Sequence, residues 1–182
     1  MPIDEQRRSW RPGDSWDDAL AELEYIRSLA REMGGPERIK RQHDAGRYTV
    51  RERVDRLVDP GTFVEAGSLV GAAEYNEDGD LRDFTPGAYV MGFAEINGRS
   101  VVVGGHDFTI SGGSPHNVHK GPQQFAIPLA QQYGIPYIQL VEGAGHSTKS
   151  DEAAGHMGLP QGDGWWRLLG AMREVPVVSG IM

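Results

Sequence analysis

The chain has 182 residues, of which 38% are hydrophobic and 25 are glycine. This length allows one domain with a real core or part of a larger domain, and the glycine content favours a loop-rich α/β protein over a helical bundle. The net charge of −8 disfavours general nucleic-acid binding, because phosphate contacts need clustered Lys and Arg. The absence of cysteine excludes disulfides, zinc ribbons and thiol nucleophiles.

The first residues, MPIDEQRRSWRPGD, lack the apolar core of a signal peptide, and no stretch approaches the roughly 18 consecutive apolar residues of a membrane span. We therefore expect a cytoplasmic protein that does not bind membranes.

A run of basic residues, interleaved with acidic ones, is typical of a solvated helical face, with a polyanion-binding patch as the alternative. The basic residues are Arg38, Lys40, Arg41, Arg47, Arg51, Arg53 and Arg56.

Three helices are predicted in the first third of the chain. The first begins at the cap Ser15, repeats apolar residues every three or four positions from Trp16 to Leu29, and ends at Gly34-Gly35-Pro36. The second covers residues 37–45, and the third opens with the capping box Thr49-Val-Arg-Glu52. We expect residues 1–14 to be loose, residues 62–65 to form a short strand, and residues 71–83 to be irregular.

The segment AYVMGFAEINGRSVVVGG predicts a β-hairpin that turns at Asn97-Gly98, and its wholly apolar second run should lie centrally in a sheet. A helical region to about residue 132 follows, with a break or kink expected near Pro122 and Pro128. Strands at residues 137–141 and 175–182 flank a loop and a helix at residues 165–174. This order predicts βαβ units and a parallel sheet.

Two glycine-rich turns follow strands of this sheet, Gly112-Gly113 and Gly143-Ala144-Gly145. The carboxyl ends of parallel strands form the edge at which ligands usually bind. A glycine pair there indicates either a turn that only glycine tolerates or a backbone that a ligand approaches closely.

Three separated stretches resemble the carboxyltransferase β subunit of biotin-dependent acyl-CoA carboxylases, the family that includes the propionyl-CoA, methylcrotonyl-CoA and geranyl-CoA carboxylases. They are IKRQHDAGRYTVRERVDRLVDPGTFVE, GAYVMGFAEINGRSVVVGGHDFTISGGS and IPYIQLVEGAG, in that order. The resemblance covers roughly residues 34–182. It implies a partial N-terminal carboxyltransferase domain there, preceded by a tail and helix at residues 1–33.

The resemblance implies an α/β fold of the crotonase-like (ClpP/crotonase) type, an incomplete spiral of ββα units with additional N-terminal helices. It also implies transfer of a carboxyl group from carboxybiotin, carried on a partner protein, to the α-carbon of an acyl-CoA thioester. The enolate oxygen formed in that reaction needs waiting N–H donors. We expect Gly112, Gly113, Ser114 and Lys120 to bind the acyl-CoA, and Gly143, Ala144 and Gly145 to be catalytic.

The chain departs from the resembled pattern at two places. Many relatives carry Asp-Ser-Gly-Gly-Ala after the second strand, where this chain has Glu142-Gly143-Ala144-Gly145-His146. The strand VPVVSGIM would run on into a further glycine-rich loop, which this sequence does not contain. We therefore expect a fragment that has no turnover alone, that as a full-length protein forms a homo-oligomer, and that works with a biotin carboxylase or biotin carrier subunit.

Other side chains are weaker candidates. His116 and His119 share a predicted helix face, with His106 and His146 as further neighbours, but no carboxylate accompanies them and no metal site is predicted. The remaining candidates have a structural or solvated role as the more frequent alternative. They are Ser114 as a nucleophile or helix cap, Lys149 as a CoA-phosphate contact, Glu142 and Asp151 as acid or base, and Trp165 and Trp166 as an acyl pocket.

Two rival functions stay open. A biotin-dependent decarboxylase subunit shares the fold and runs the chemistry in reverse. A non-catalytic module that binds CoA or assists assembly would keep the glycine turns without turnover.

Overall fold

The structure is a computed structural model that describes residues 9–113, 122–143 and 164–182. In the described residues the helices are α1 (Trp16–Arg31), α2 (Pro36–Asp44), α3 (Val50–Leu57), α4 (Gln123–Tyr133) and α5 (Gly164–Ala171). The strands are β1 (Val64–Ala66), β2 (Gly71–Tyr75), β3 (Leu81–Pro86), β4 (Tyr89–Ile96), β5 (Arg99–His106), β6 (Tyr137–Val141) and β7 (Val177–Ile181). A short 3₁₀ turn covers Ser111–Gly113.

Side-chain caps start two of the helices as the sequence predicts. The Ser15 hydroxyl accepts the Asp18 amide at 3.1 Å, and the Thr49 amide donates to the Glu52 carboxylate at 2.7 Å. Both sites are complete capping boxes, which satisfy backbone N–H groups that have no partner inside the helix. The second helix is also confirmed, beginning one residue earlier than predicted.

Five strands form one sheet in the order β1-β4-β5-β6-β7. The strands β4 and β5 pair as the predicted antiparallel hairpin, with Asn97 at φ 51° and Gly98 at φ 70° in its turn. β6 runs parallel to both β5 and β7, so the predicted parallel sheet is confirmed. The carboxyl ends of β5 and β6 therefore lie side by side.

The core fills both faces of this sheet. On one face α4 and α5 cover a cluster that includes Tyr89, Val102 and Tyr137. On the other face α3 covers Val101 and Val103. Because neighbouring residues of a strand point to opposite faces, an apolar run is required where both faces are covered. This arrangement confirms the central position predicted for β5.

The expectation of an irregular segment at residues 71–83 was wrong, because β2 and β3 form an antiparallel hairpin of their own. Its turn is stabilised by the Asn76 side chain, which accepts the Asp80 amide at 2.7 Å. Residues 9–11 are not loose either. The Ser9 hydroxyl accepts the Leu81 amide at 2.9 Å, and Arg11 forms an ion pair with Asp80 at 2.6 Å.

The helix α4 begins directly after Pro122, and Pro128 lies inside it, so the chain is not broken at Pro128. Proline removes one intrahelical hydrogen bond. The neighbouring Ala126 and Ala130 are fully buried against the sheet, and this packing holds the helix together across the missing bond. None of the helices in the described part of the chain has the length and apolar character needed to cross a bilayer.

Candidate active site

The two glycine turns meet at the carboxyl edge of the sheet. A methyl group added at Gly113 would lie 2.7 Å from the carbonyl oxygen of Glu142. One added at Gly143 would lie 3.9 Å from the carbonyl oxygen of Gly112. The first distance is too short for any side chain, so position 113 requires glycine, whereas the second is an ordinary contact. The turn after β5 and the turn after β6 thus form one continuous backbone surface.

The turn after β5 holds an unusual backbone conformation. Ser111, Gly112 and Gly113 have successive φ values of 48°, 65° and 72°. The left-handed region costs a residue with a side chain about 1–2 kcal/mol, so Ser111 is strained. The Gly113 amide donates to the Ile110 carbonyl at 2.9 Å and is therefore used inside the turn rather than exposed. The missing side chain of Gly113 lets the two turns approach each other, whereas the sequence predicts a Gly113 amide that is free to bind a ligand.

The amides of Gly112 and Gly143 are different. Neither makes a hydrogen bond with any residue in the described ranges. Gly112 is half-buried and Gly143 is exposed, so an external hydrogen-bond acceptor can reach both turns.

A buried carboxylate stabilises the segment that leads into the turn after β5. Asp107 is 1% exposed and accepts the Thr109 amide at 2.9 Å and the Thr109 hydroxyl at 2.5 Å. The same hydroxyl accepts the Gly34 amide at 2.9 Å, which ties the turn to the α1–α2 junction. Burial raises the pKa of Asp107, and the hydrogen bonds from Thr109 oppose that increase. This network explains how the chain sustains a strained turn.

An ion pair holds the turn after β6. A guanidinium nitrogen of Arg53, on α3, contacts the carboxylate of Glu142, and the two side chains are 12% and 8% exposed. Glu142 is the residue directly before Gly143. The α3 helix that carries Arg53 is anchored by Val54, which is buried against the sheet. The ion pair therefore connects a rigid helix to the turn.

His106 ends β5 next to both turns. Its Nδ1 lies 3.4 Å from the Leu140 carbonyl oxygen, and its ring packs edge-on against Tyr89 at 4.9 Å. Burial lowers the pKa of His106, so the neutral imidazole is favoured. The Tyr89 hydroxyl in turn lies 2.6 Å from the Tyr137 hydroxyl, and this polar pair is buried inside the core.

The structure brings Gly112, Gly113 and Gly143 together, as their positions after parallel strands predicted. Several other candidates lie outside the described residues. They are Ser114, His116, His119, Lys120, Ala144, Gly145, His146, Lys149 and Asp151, together with the side chains of Trp165 and Trp166. Within the described ranges, no group of three or more His, Asp or Glu side chains could hold a metal ion.

The basic run is only partly the solvated face that the sequence predicted. Lys40 pairs with Asp44 on the exposed surface at 2.5 Å, in keeping with that interpretation. Arg51 instead pairs with Glu65 at 2.8 Å, with side chains only 20% and 19% exposed, and Arg53 is the partner of Glu142. Sequence reasoning missed Arg53 because its partner lies 89 residues away and no local spacing connects them.

Comparison with protein families matches residues 41–182 to the carboxyl transferase domain. The propionyl-CoA carboxylase beta chain of Roseobacter denitrificans is 36% identical over 169 residues, covering 91% of this chain and 32% of that protein. The methylmalonyl-CoA decarboxylase subunit alpha of Propionigenium modestum is 32% identical over 151 residues, covering 82% of this chain and 28% of that protein. This chain thus spans about a third of the length of these relatives.

A solved structure of transcarboxylase 12S, a hexamer with methylmalonyl-coenzyme A and methylmalonic acid bound, has a similar fold. It matches with a TM-score of 0.68 and 24% identity, and the match covers 94% of this chain and 33% of that one. At this identity the match shows the fold alone. It confirms the crotonase-like carboxyltransferase fold that the sequence predicted.

Proposed function

This chain belongs to the carboxyl transferase domain family, and on that premise we propose that it forms the acyl-CoA-binding part of a biotin-dependent acyl-CoA carboxyltransferase. Such an enzyme moves a carboxyl group from carboxybiotin to the α-carbon of an acyl-CoA thioester. Propionyl-CoA is the substrate class that the name of the Roseobacter denitrificans relative favours.

The chemistry sets what the chain must supply. When the α-proton leaves, the thioester oxygen gains negative charge, and donors that already point at it lower the barrier. Carboxybiotin, carried on a partner protein, supplies the carboxyl group and the base. The backbone amides of the described residues supply the hydrogen-bond donors. We assign no described residue to the binding of biotin.

The observation that carries the proposal is that the turn with the Gly112 amide lies against the turn with the Gly143 amide. Both amides are free of partners among the described residues, and neighbouring glycines keep side chains out of the way. We propose that the thioester oxygen binds at the edge that these two turns form. The contributions of Ser114, Lys120, Ala144 and Gly145 to the same site remain predictions, and Gly113 acts by allowing the turns to approach each other.

The test uses the complete carboxyltransferase that contains this chain, assayed for carboxylation of propionyl-CoA. The variant Gly143→Ala adds a methyl group at an ordinary contact distance, 3.9 Å from Gly112, so the fold should tolerate it. We expect kcat to fall on the order of 10²-fold, the usual cost of one misplaced oxyanion donor, with little change in unfolding temperature.

The matched control is Gly134→Ala, at the end of α4, where a methyl group meets nothing within 4 Å. It should leave kcat within about twofold of the wild type, the range of a change that touches no site. A wild-type enzyme with no activity on any acyl-CoA would remove the proposed function. An active wild type together with an active Gly143→Ala variant would remove only the proposed site.

A second candidate function is decarboxylation of a carboxylated acyl-CoA, which the similarity to the Propionigenium modestum decarboxylase subunit favours. The same enolate would form, and the same amides would stabilise it. Assaying the complete enzyme with propionyl-CoA and with methylmalonyl-CoA separates the two directions. Binding of both thioesters without turnover of either would instead indicate the non-catalytic module.

The proposal extends to partners. We propose a biotin carboxylase or biotin carrier subunit as the source of carboxybiotin, and a homo-oligomer as the working form. The cytoplasmic location stays a prediction.

A further inference from the structure

The pair of Arg53 and Glu142 is placed so that it can act on the proposed reaction. Glu142 meets two other parts of the chain: its carboxylate contacts Arg53, and its backbone carbonyl faces Gly113 so closely that a methyl group there would lie 2.7 Å from the oxygen. The next residue along the chain supplies the Gly143 amide. A rotation of Glu142 would therefore move the amide and disturb the opposite turn together.

We propose that Arg53 is a positioning residue for carboxyl transfer, which orients the Gly143 amide through Glu142 and neutralises the Glu142 charge beside the developing enolate. This inference rests on the proposed function and adds a residue to it. Arg53 itself touches no reacting atom.

The positioning argument follows from where each partner is anchored. Arg53 extends from α3, which is fixed at its start by the Thr49–Glu52 capping box and along its length by Val54 in the core. A residue on a packed helix can hold a strand-end turn more precisely than the turn can hold itself. Preorganised donors are effective because they need no reorientation during the reaction.

The electrostatic argument concerns the sign of the charge. A carboxylate next to a forming enolate raises the energy of the transition state, and the effect is larger where solvent is excluded. The Glu142 side chain is only 8% exposed and directly precedes Gly143, so solvent screens its field at the turn only weakly. Pairing with the Arg53 guanidinium cancels most of this field.

The alternative is that the pair only stabilises the fold. Exchanging both partners of a buried ion pair for apolar residues is often neutral for stability, whereas removing one partner leaves a buried charge alone. The double variant Arg53→Met/Glu142→Leu therefore separates stability from positioning. Arg53→Lys is the second variant, because it keeps the charge but loses the planar guanidinium.

The experiment measures kcat and KM for propionyl-CoA in the complete carboxyltransferase, with thermal unfolding of the same preparations. For the double variant we expect kcat to fall about tenfold or more, with KM changed less than about threefold, because the affected donor acts mainly on the transition state. For Arg53→Lys we expect a fall in kcat of about three- to tenfold at an unchanged unfolding temperature.

The control variant Arg11→Met breaks a partly buried ion pair with Asp80, at the turn between β2 and β3. It should lower the unfolding temperature and leave kcat unchanged, which is the pattern of a purely structural pair. Wild-type kcat in whichever of the two Arg53 variants folds overturns the proposal. Absence of turnover in the wild type is a different result, because it refutes the proposed function itself.

Discussion

The approach of the two glycine turns makes a sharp prediction about the variant Gly113→Ala. Gly113 has φ 72°, and an added methyl group would lie 2.7 Å from the Glu142 carbonyl oxygen and 3.2 Å from the His106 Cβ. The first distance is well below ordinary contact, and the atom it meets belongs to the backbone. Since that atom cannot rotate away, one of the two turns must move.

The cost has two parts. The left-handed conformation costs an alanine about 1–2 kcal/mol relative to glycine. Forcing an extra methyl group into a packed contact adds about 1–3 kcal/mol. The variant Gly134→Ala carries the first cost alone, because Gly134 has φ 62° and open space around it. The difference between the variants, about 1–3 kcal/mol, therefore measures the contact between the turns.

The assay is urea unfolding of the two variants side by side with the wild type, followed by thermal unfolding. For a chain of this size, each kcal/mol corresponds to about 2–4 °C in Tm. Equal destabilisation by Gly113→Ala and Gly134→Ala would refute the reasoning, since it would mean that no close contact exists at Gly113. The turns would then be too far apart to share one thioester.

Three further predictions concern the fold around the site. Thr49→Ala should lower the free energy of unfolding by about 1 kcal/mol, the usual value of an N-cap, as measured by urea unfolding. The pKa of Glu52 is lowered mainly by its hydrogen bond from the Thr49 amide, so it contributes stability above its unfolded pKa that is lost as the pH falls through the folded value. Glu52→Gln should therefore lose less stability between about pH 5 and pH 3 than the wild type does; equal losses would contradict this. Tyr89→Phe should cost about 1–3 kcal/mol, because the buried Tyr137 hydroxyl would lose its described hydrogen-bond partner. Calorimetry checks this, and an unchanged unfolding temperature would contradict it.

Much of the fold could be predicted from local signals. Helix starts were readable at Ser15 and Thr49 because caps act over three or four residues. The turn at Asn97-Gly98 was readable because two successive positive φ values favour that pair. By contrast, the hairpin of β2 and β3 depends on Ser9 and Arg11, about 70 residues away along the chain, and no local pattern reports such a contact.

The candidate site was also predictable only in part. The parallel order of β5 and β6 predicted that Gly112 and Gly143 would share an edge, since that follows from topology. Which amides are available could not be predicted, because it depends on the conformation of one turn, where Gly113 donates to Ile110. The ion pair of Arg53 with Glu142 could not be predicted either, because the sequence around Arg53 does not indicate which distant carboxylate it contacts.

A site built from backbone must be rigid to work, and this requirement links the parts of the structure. Amides cannot be swapped for better donors, so their value lies in how firmly they are aimed. The turn after β5 is strained at Ser111 and held by Asp107 and Thr109, and the turn after β6 is held by Arg53. Both turns are thus held by a buried charge or contain a strained residue. Such features lower the stability of the fold unless other interactions offset their cost. Strain and buried charge at the two turns that carry these amides support the oxyanion site that we propose.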